Sequence, residues 1–329
     1  MKAIVFDRFG EPGEVLRVAE VPTPEPGPGE VRVRMTASPI NPSDLLMVRG
    51  LYVIRPPLPA TPGFEGVGVV DKVGPGLLGR FVKGKRVTVI NHGGGNWAEY
   101  AVIPAKQARP VASDIPDDQV ASFFVNPATV LALVRHVLAV PKGEWFLQSA
   151  AGSSLGRMVI RLAKADGIRT VNVVRRREAV DELKALGGDV VISTSDGPLG
   201  EQVAAATGGA TIKYAIDPVG GETGGDVLGA LGRGGRLIVY GSLTNEPLRV
   251  DPRQLISGGK CVEGFWLGHW MRGRSIPRSL LLFREIAAQM RSGVLTTEVG
   301  ARFPLERIAD AAREADVVGR RGKVLLTIS

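Results

Sequence analysis

Cysteine is almost absent: Cys261 is the only thiol in a chain of 329 residues. No intramolecular disulfide can form, and no cysteine-based zinc cluster can be assembled. Histidine is nearly as scarce, and His92, His136 and His269 show no ligand spacing, so no metal is expected. No apolar run approaches the ~18 residues that mark a membrane span. The opening MKAIVFDRFG alternates like a strand. It carries neither an apolar signal core nor an Arg/Ser-rich transit segment, so the expected compartment is the cytoplasm. Aromatics are only 5% of residues, and the basic clusters at 169–177, 272–278 and 302–323 contain just Phe303. Nucleic-acid binding would call for interleaved aromatics. The net charge of +8 therefore suits phosphate-bearing small molecules better, with a solvated basic surface as the plain alternative.

The chain is long enough for about two domains. Residues 1 to about 120 are rich in Val, Gly and Pro, with short strands expected at 2–6, 30–37, 66–73, 86–90 and 98–103. Turn clusters such as TPEPGPGE separate them, so this part reads as a β-domain. A helix is expected over 117–139. From about 140, strands and helices alternate: 145–149, 153–166, 170–174, 178–186, 189–192, 200–206, 213–216, 223–231 and 235–239. That alternation implies an α/β fold with a parallel sheet covered by helices. A helix at 277–292 and a strand at 323–328 follow. The boundaries expected are 1–120, completed by about 293–329, and 121–292.

Trp145 to Arg177 is the most telling stretch. A short apolar run leads into the small-residue turn Ala150–Ser154, then a helix with Leu155, Met158, Val159, Leu162 and Ala163 on one face. Gly167 can stop it, and Thr170–Val174 is a second β-branched run. Strand, turn, helix, strand is the order of a dinucleotide-binding unit. The glycine fingerprint is incomplete, because Ala151 and Ser153 stand where G-x-G-x-x-G ending at Gly156 has glycine. Small residues still let a pyrophosphate approach the backbone, and the helix start offers N–H groups and a positive dipole end. Arg175, Arg176 and Arg177 close the second strand, where an NAD site usually has an acid. Arginine there suits a 2′-phosphate, which points to NADPH.

SPINPSD (Ser38–Asp44), GFEGVGVVDKVGPG (Gly63–Gly76), the turn carrying Ala150, Ser153 and Gly156, DPVGG (Asp217–Gly221) and IVYGS (Ile238–Ser242) occur in this order. Together they resemble the medium-chain dehydrogenase/reductase superfamily, across essentially the whole chain. The resemblance implies a GroES-like β-domain, a Rossmann domain and an active site in the cleft between them. Asn41 and Phe64 fall near the positions where zinc members carry a cysteine and a histidine ligand, and the four-cysteine lobe is missing. The chain thus resembles the zinc-free reductases, which suit conjugated acceptors. VNPATV (Val125–Val130), NVVRRR (Asn172–Arg177) and GFWLGHW (Gly264–Trp270) are similar to segments of mitochondrial-type 2-enoyl thioester reductases. The first alternative is an NADPH:quinone oxidoreductase. A more distant one is a non-enzymatic NADPH-binding regulatory protein.

The resemblance implies Tyr52 as the proton donor to the substrate α-carbon, and an ordinary phenol pKa of ~10 would keep it protonated at neutral pH. Its alternative is packing on a Pro-rich loop. Asn41 and Asn126 carry amides suited to hold the cofactor or polarise a carbonyl, although Asn before Pro is also ordinary turn chemistry. Thr129 suits the nicotinamide amide. Ser153, Ser154, Leu155 and Gly156 are expected at the pyrophosphate, and Arg175, Arg176 and Arg177 at the 2′-phosphate. Tyr240, Gly241, Ser242 and Leu243 are expected on the adenosine side. Phe265, Trp266 and Leu267 are expected at the nicotinamide, with core or interface packing as their alternative. Lys323 matches a family lysine that reaches the cofactor. Arg272, Arg274 and Arg278 could meet coenzyme A phosphates or an acidic carrier protein, or form a solvated loop. A homodimer is implied by the resemblance alone, through the sheet edge around 235–266.

Overall fold

The computed structural model describes residues 1–328. The chain divides into two compact units: residues 1–125 with 286–291 and the segment from Thr296 onward, and residues 126–285 with 292–295.

In the first unit, β1 (Lys2–Val5) and β2 (Arg17–Glu20) pair antiparallel. The main sheet is built around β3 (Glu30–Pro39), which pairs antiparallel with both β4 (Glu65–Val73) and β6 (Tyr100–Pro104). From β4 the sheet continues to β5 (Arg86–Ile90) and β7 (Ala108–Pro110). In β3, Val31, Val33 and Met35 are buried while Glu30, Arg32 and Arg34 turn outward, the period-two pattern of a half-buried strand. These residues meet Val87, Val89, Trp97 and Ile103 in one core. The glycines of GFEGVG allow β3 and β4 to approach closely: a Cβ on Gly68 would lie 2.3 Å from the carbonyl oxygen of Arg34, and one on Gly66 2.8 Å from that of Ala37. The Ser38 hydroxyl then donates to the carbonyl of Glu65 at 2.6 Å.

In the second unit, six strands are all parallel: β8 (Trp145–Gln148), β9 (Arg169–Val174), β10 (Val190–Ser193), β11 (Tyr214–Asp217), β12 (Arg236–Val239) and β13 (Cys261–Gly264). Their order, β10-β9-β8-β11-β12-β13, reverses between β8 and β11. This is the doubly wound α/β arrangement expected from the alternation, and ligands of such sheets bind outside the carboxyl ends at the reversal. Leu147, Val171, Ala215 and Leu237 are fully buried at the centre of the sheet. β13 was not expected: CVEG is short and mostly exposed, so it lacks the apolar run that marks the inner strands.

The helix expected over 117–139 is three pieces: Asp117–Ala121, Val125–Leu131 and a π-helical turn over Ala132–Val137. The N–H groups of Phe124 and Val125 donate to the Glu65 carboxylate (3.1 and 2.9 Å) and cannot serve a continuous ladder. The helix restarts at Val125 with Pro127 in its first turn, where a missing N–H does no harm.

In the first unit's C-terminal part, β14 (Val299–Pro304) and β15 (Lys323–Thr327) run parallel to each other. β15 pairs antiparallel with the far end of β3, Leu326 opposite Ser38. Among the described residues, no helix is long and apolar enough to cross a membrane.

Candidate active site

In the first unit, the end of β3 leads into the helix Pro42–Val48, whose N-cap is Asn41. Asp44 accepts the Asn41 backbone N–H (2.8 Å) on one oxygen and the Phe64 N–H (3.0 Å) on the other. The Asn41 carboxamide bridges two charges: its Nδ2 donates to Glu65 Oε1 at 3.0 Å, and its Oδ1 accepts from Lys323 Nζ at 2.7 Å. Lys323 arrives there because β15 begins with it and the Ile40 N–H donates to the Val324 carbonyl. Asn41, Asp44, Glu65 and Lys323 are all at most 2% exposed.

Burial disfavours charge in this cluster. It pushes the Asp44 carboxyl up to about 7 and the Lys323 ammonium down to about 8, and it raises Glu65. Asn41 and Lys323, expected at the cofactor, are thus bound first to each other. Sequence reasoning missed Asp44 and Glu65. The available signal was a lone carboxylate inside the small, apolar GFEGVG run.

Tyr52 follows the same helix. Its N–H and that of Leu51 donate to the Leu46 carbonyl (3.2 and 2.9 Å). The half-buried Tyr52 ring rests against Phe64 with centroids 5.3 Å apart. Asp44, by fixing Phe64, supports the surface on which Tyr52 lies.

In the second unit, the small-residue turn stands at the carboxyl end of β8, and the helix Ser154–Asp166 starts from it. Ser153 is its N-cap, its hydroxyl accepting the Gly156 N–H at 3.0 Å, and Gly167 closes it in the left-handed conformation. The third fingerprint glycine is retained for a steric reason: a Cβ on Gly156 would lie 2.6 Å from the Ala151 carbonyl oxygen and 2.7 Å from its Cα. At Gly152 a Cβ would meet nothing within 4 Å. The N–H groups of Ser154 and Leu155 lie in the first helical turn, outside the ladder, and face anions readily. Small residues, an open backbone and a helix N-terminus fit a dinucleotide pyrophosphate.

A buried polar network underlies the turn. Gln148 Nε2 donates to the Gly156 carbonyl (3.0 Å) and to Asn172 Oδ1 (2.7 Å), and the Ser149 hydroxyl donates to Asp217. Asp217 also accepts the Gly220 N–H at 2.8 Å, shaping the DPVGG turn. The next loop is fastened to it: the Leu243 N–H donates to the Pro218 carbonyl (2.9 Å), and a Cβ on Gly241 would come within 3.0 Å of that oxygen. Tyr240 sits here with its hydroxyl buried and without a hydrogen-bond partner, so burial raises its pKa.

Arg175, Arg176 and Arg177 are exposed at the carboxyl end of β9. Arg177 is already ion-paired with Asp196. Phe265 follows β13, its N–H on the Val239 carbonyl at 2.8 Å, and Trp266 caps the helix Leu267–Arg272. The 153–156, 175–177, 240–243 and 265–267 segments therefore gather at one edge of the parallel sheet. Asn126 and Thr129 lie on the helix Val125–Leu131, Thr129 buried. Tyr52, Asn41 and Lys323 belong to the first unit.

Residues 154–281 match the family model described as zinc-binding dehydrogenase, and residues 27–114 the model described as alcohol dehydrogenase GroES-like domain. The chain is similar to the mitochondrial enoyl-[acyl-carrier-protein] reductase of Xenopus tropicalis, 33% identical over 95% of this chain and 91% of that protein. It is 32% identical to the Arabidopsis thaliana protein of the same name, over 99% and 88%. The solved structure of Escherichia coli quinone oxidoreductase complexed with NADPH superposes with a TM-score of 0.92 at 27% identity, covering 99% and 100% of the two chains. Among the described residues, no three of His, Cys, Asp and Glu form a metal-holding group. Position 64 is phenylalanine, and the Asn41 carboxamide is held between Lys323 and Glu65.

Proposed function

Because the chain belongs to the medium-chain dehydrogenase/reductase family of oxidoreductases, we propose that it is an NADPH-dependent reductase of α,β-unsaturated carbonyl compounds, specifically trans-2-enoyl thioesters, acting without zinc. The observation that carries the cofactor half of this reading is the carboxyl edge of the second unit. There a capped helix N-terminus, pressed onto its turn at Gly156, shares the edge with three exposed arginines. The enoyl reductase relatives support the substrate half.

NADPH, when bound, supplies a hydride for the substrate β-carbon. Ser153, Ser154, Leu155 and Gly156 hold its pyrophosphate. Arg175, with Arg176 and Arg177 beside it, neutralises the 2′-phosphate. Tyr240 to Leu243 flank the adenosine, and Asn126, Thr129 and Phe265 to Leu267 flank the nicotinamide side. As negative charge spreads onto the thioester oxygen, the Tyr52 hydroxyl delivers the proton to the α-carbon. Asn41 and Lys323, bound to one another and to Glu65 in one buried chain of hydrogen bonds, complete the residues assigned to the cofactor. The exposed edge strand β13 supports a homodimer joined there, and a monomer by light scattering would refute that part.

The quinone oxidoreductase reading keeps a place because of the fold likeness to the Escherichia coli enzyme. NADPH oxidation with crotonyl- and 2-hexenoyl-coenzyme A, measured beside 1,4-benzoquinone and 9,10-phenanthrenequinone, separates the two. Thioester turnover that falls at least about a hundredfold in Tyr52→Phe, the range for a positioned general acid, is the expected result. Quinone turnover alone would overturn the thioester reading. No oxidation with any acceptor would leave a binding protein.

A further inference from the structure

Several arginines of this protein are held by carboxylates: Arg32 by Asp71, Arg49 by Glu11 and Asp316, Arg135 by Asp166 and Glu285. Arg274 and Arg278 are different. Among the described residues, no carboxylate forms an ion pair with either. Both line a cavity of about 580 Å³ in the second unit, together with His136, Trp270, Leu281 and Glu285. Glu285, the acid in that wall, is taken by Arg135 at 2.5 Å.

Arg274 lies over Trp270, its guanidinium carbon 3.7 Å from the ring centroid. The arginine Nε is buried with no hydrogen-bond acceptor. The His136 ring also meets Trp270, with centroids 5.7 Å apart. Arg274 is held below the usual arginine range by burial and by the charge of Arg278. The half-buried Arg274, with its orphaned N–H, and the exposed Arg278 are two like charges that repel one another, and a bound polyanion relieves that repulsion. Trp270 and His136 give the cavity an aromatic wall against which a planar base can pack.

We propose that this cavity binds a phosphorylated purine nucleoside, as the phosphoadenosine handle of a coenzyme A thioester. The inference extends the thioester reading above and rests on it for the identity of the carrier. An aromatic-walled cavity of this size, within the range of small-molecule sites, favours a nucleotide over the convex face of an acidic carrier protein. The handle would then bind apart from the reacting double bond, so that its binding energy can be used to orient the acyl end.

The test uses the protein saturated with NADPH, so that the dinucleotide cradle is filled. Adenosine 3′,5′-bisphosphate is titrated calorimetrically, beside inorganic phosphate. The bisphosphate is expected to bind at least about tenfold more tightly than phosphate. Its affinity is expected to fall about tenfold or more in Arg274→Ala and in Arg278→Glu. Arg278 is exposed, so its substitution leaves the core intact. In steady-state assays, Arg278→Glu should raise KM for 2-hexenoyl-coenzyme A about tenfold, with KM for the N-acetylcysteamine thioester unchanged. No bisphosphate binding, or equal binding by wild type and both variants, overturns the site. Loss of activity confined to a carrier-protein thioester, with bisphosphate binding unaffected, overturns it in favour of a protein partner. Binding that depends on both arginines in a protein that turns over no thioester would uphold the nucleotide site while refuting the thioester reading.

Discussion

Glu65→Gln tests the buried cluster of the first unit most sharply, because the exchange is nearly isosteric and alters only hydrogen-bond polarity and charge. At one end of the chain of bonds stand the Phe124 and Val125 N–H groups, and at the other the Lys323 ammonium. All of these can only donate. Between them, Glu65 only accepts, and Asn41 accepts from lysine while donating to glutamate. A glutamine at 65 adds one donor. If its oxygen faces the backbone N–H groups, its NH2 meets Asn41 Nδ2. If Asn41 then rotates, its own NH2 meets the ammonium.

A buried donor left unsatisfied costs about 1–3 kcal/mol, more when a charge is involved, and removing one partner of a buried charge pair costs about 3–5 kcal/mol. The lysine and glutamate charges here act through Asn41 rather than in direct contact, so about 3 kcal/mol is expected for the variant. In a unit of this size that lowers Tm by about 6–12 °C. Lys323→Met removes the donor at the far end. The double variant should therefore be less destabilised than the sum of the single ones by at least about 2 kcal/mol, measured by urea denaturation in a double-mutant cycle. A Glu65→Gln protein as stable as wild type, or additivity within about 0.5 kcal/mol, would refute the assigned direction of this chain.

Gly156→Ala must push its Cβ into the Ala151 backbone. Overpacking of this kind costs about 1–3 kcal/mol, with a higher KM for NADPH, while Gly152→Ala, in open space, changes neither; the reverse ranking would remove the close-approach argument. Arg175→Ala should raise the NADPH KM about tenfold or more, as loss of a charge-assisted hydrogen bond does, and leave that for NADH nearly unchanged. Arg177→Ala should do less, since Asp196 already engages that side chain; equal effects on the two cofactors would sink the 2′-phosphate assignment. The Asp44 pKa is raised from 3.8 to about 7 by burial. Its stabilising contribution is thus complete below about pH 4 and lost as pH rises through about 7. The difference in Tm between wild type and Asp44→Asn should therefore shrink from pH 5 to pH 8, and a difference that widens would contradict the raised value.

What was legible in the sequence is what neighbours in sequence decide. The inner strands of the second unit are apolar runs, and the helix Ser154–Asp166 carries its own start in Ser153 and its own stop in Gly167. The break in the helix expected over 117–139 was hidden, because its cause, Glu65, lies 60 residues away from Val125. β13 was hidden for a different reason. Its place at the sheet edge asks little hydrophobicity of it, so the segment leaves no pattern.

Asn41 shows how far a local reading can go. Within SPINPSD it is a credible turn residue, and by family resemblance a cofactor contact. Its neighbours in space are Lys323, 282 residues away, and Glu65. Between a fixed donor and a fixed acceptor, the residue must accept on one side and donate on the other within one short planar group. Aspartate would set a second carboxylate against Glu65, and leucine would leave both charges without a bridge. Asparagine meets the requirement, and because its backbone also caps the helix Pro42–Val48, the same residue connects the buried charges to the segment that carries Tyr52. A substitution at 41 that keeps the cap but not the bridge, such as Asn41→Asp, should therefore leave the helix in place while raising the pKa of Lys323, since a new carboxylate beside an ammonium favours its charged form.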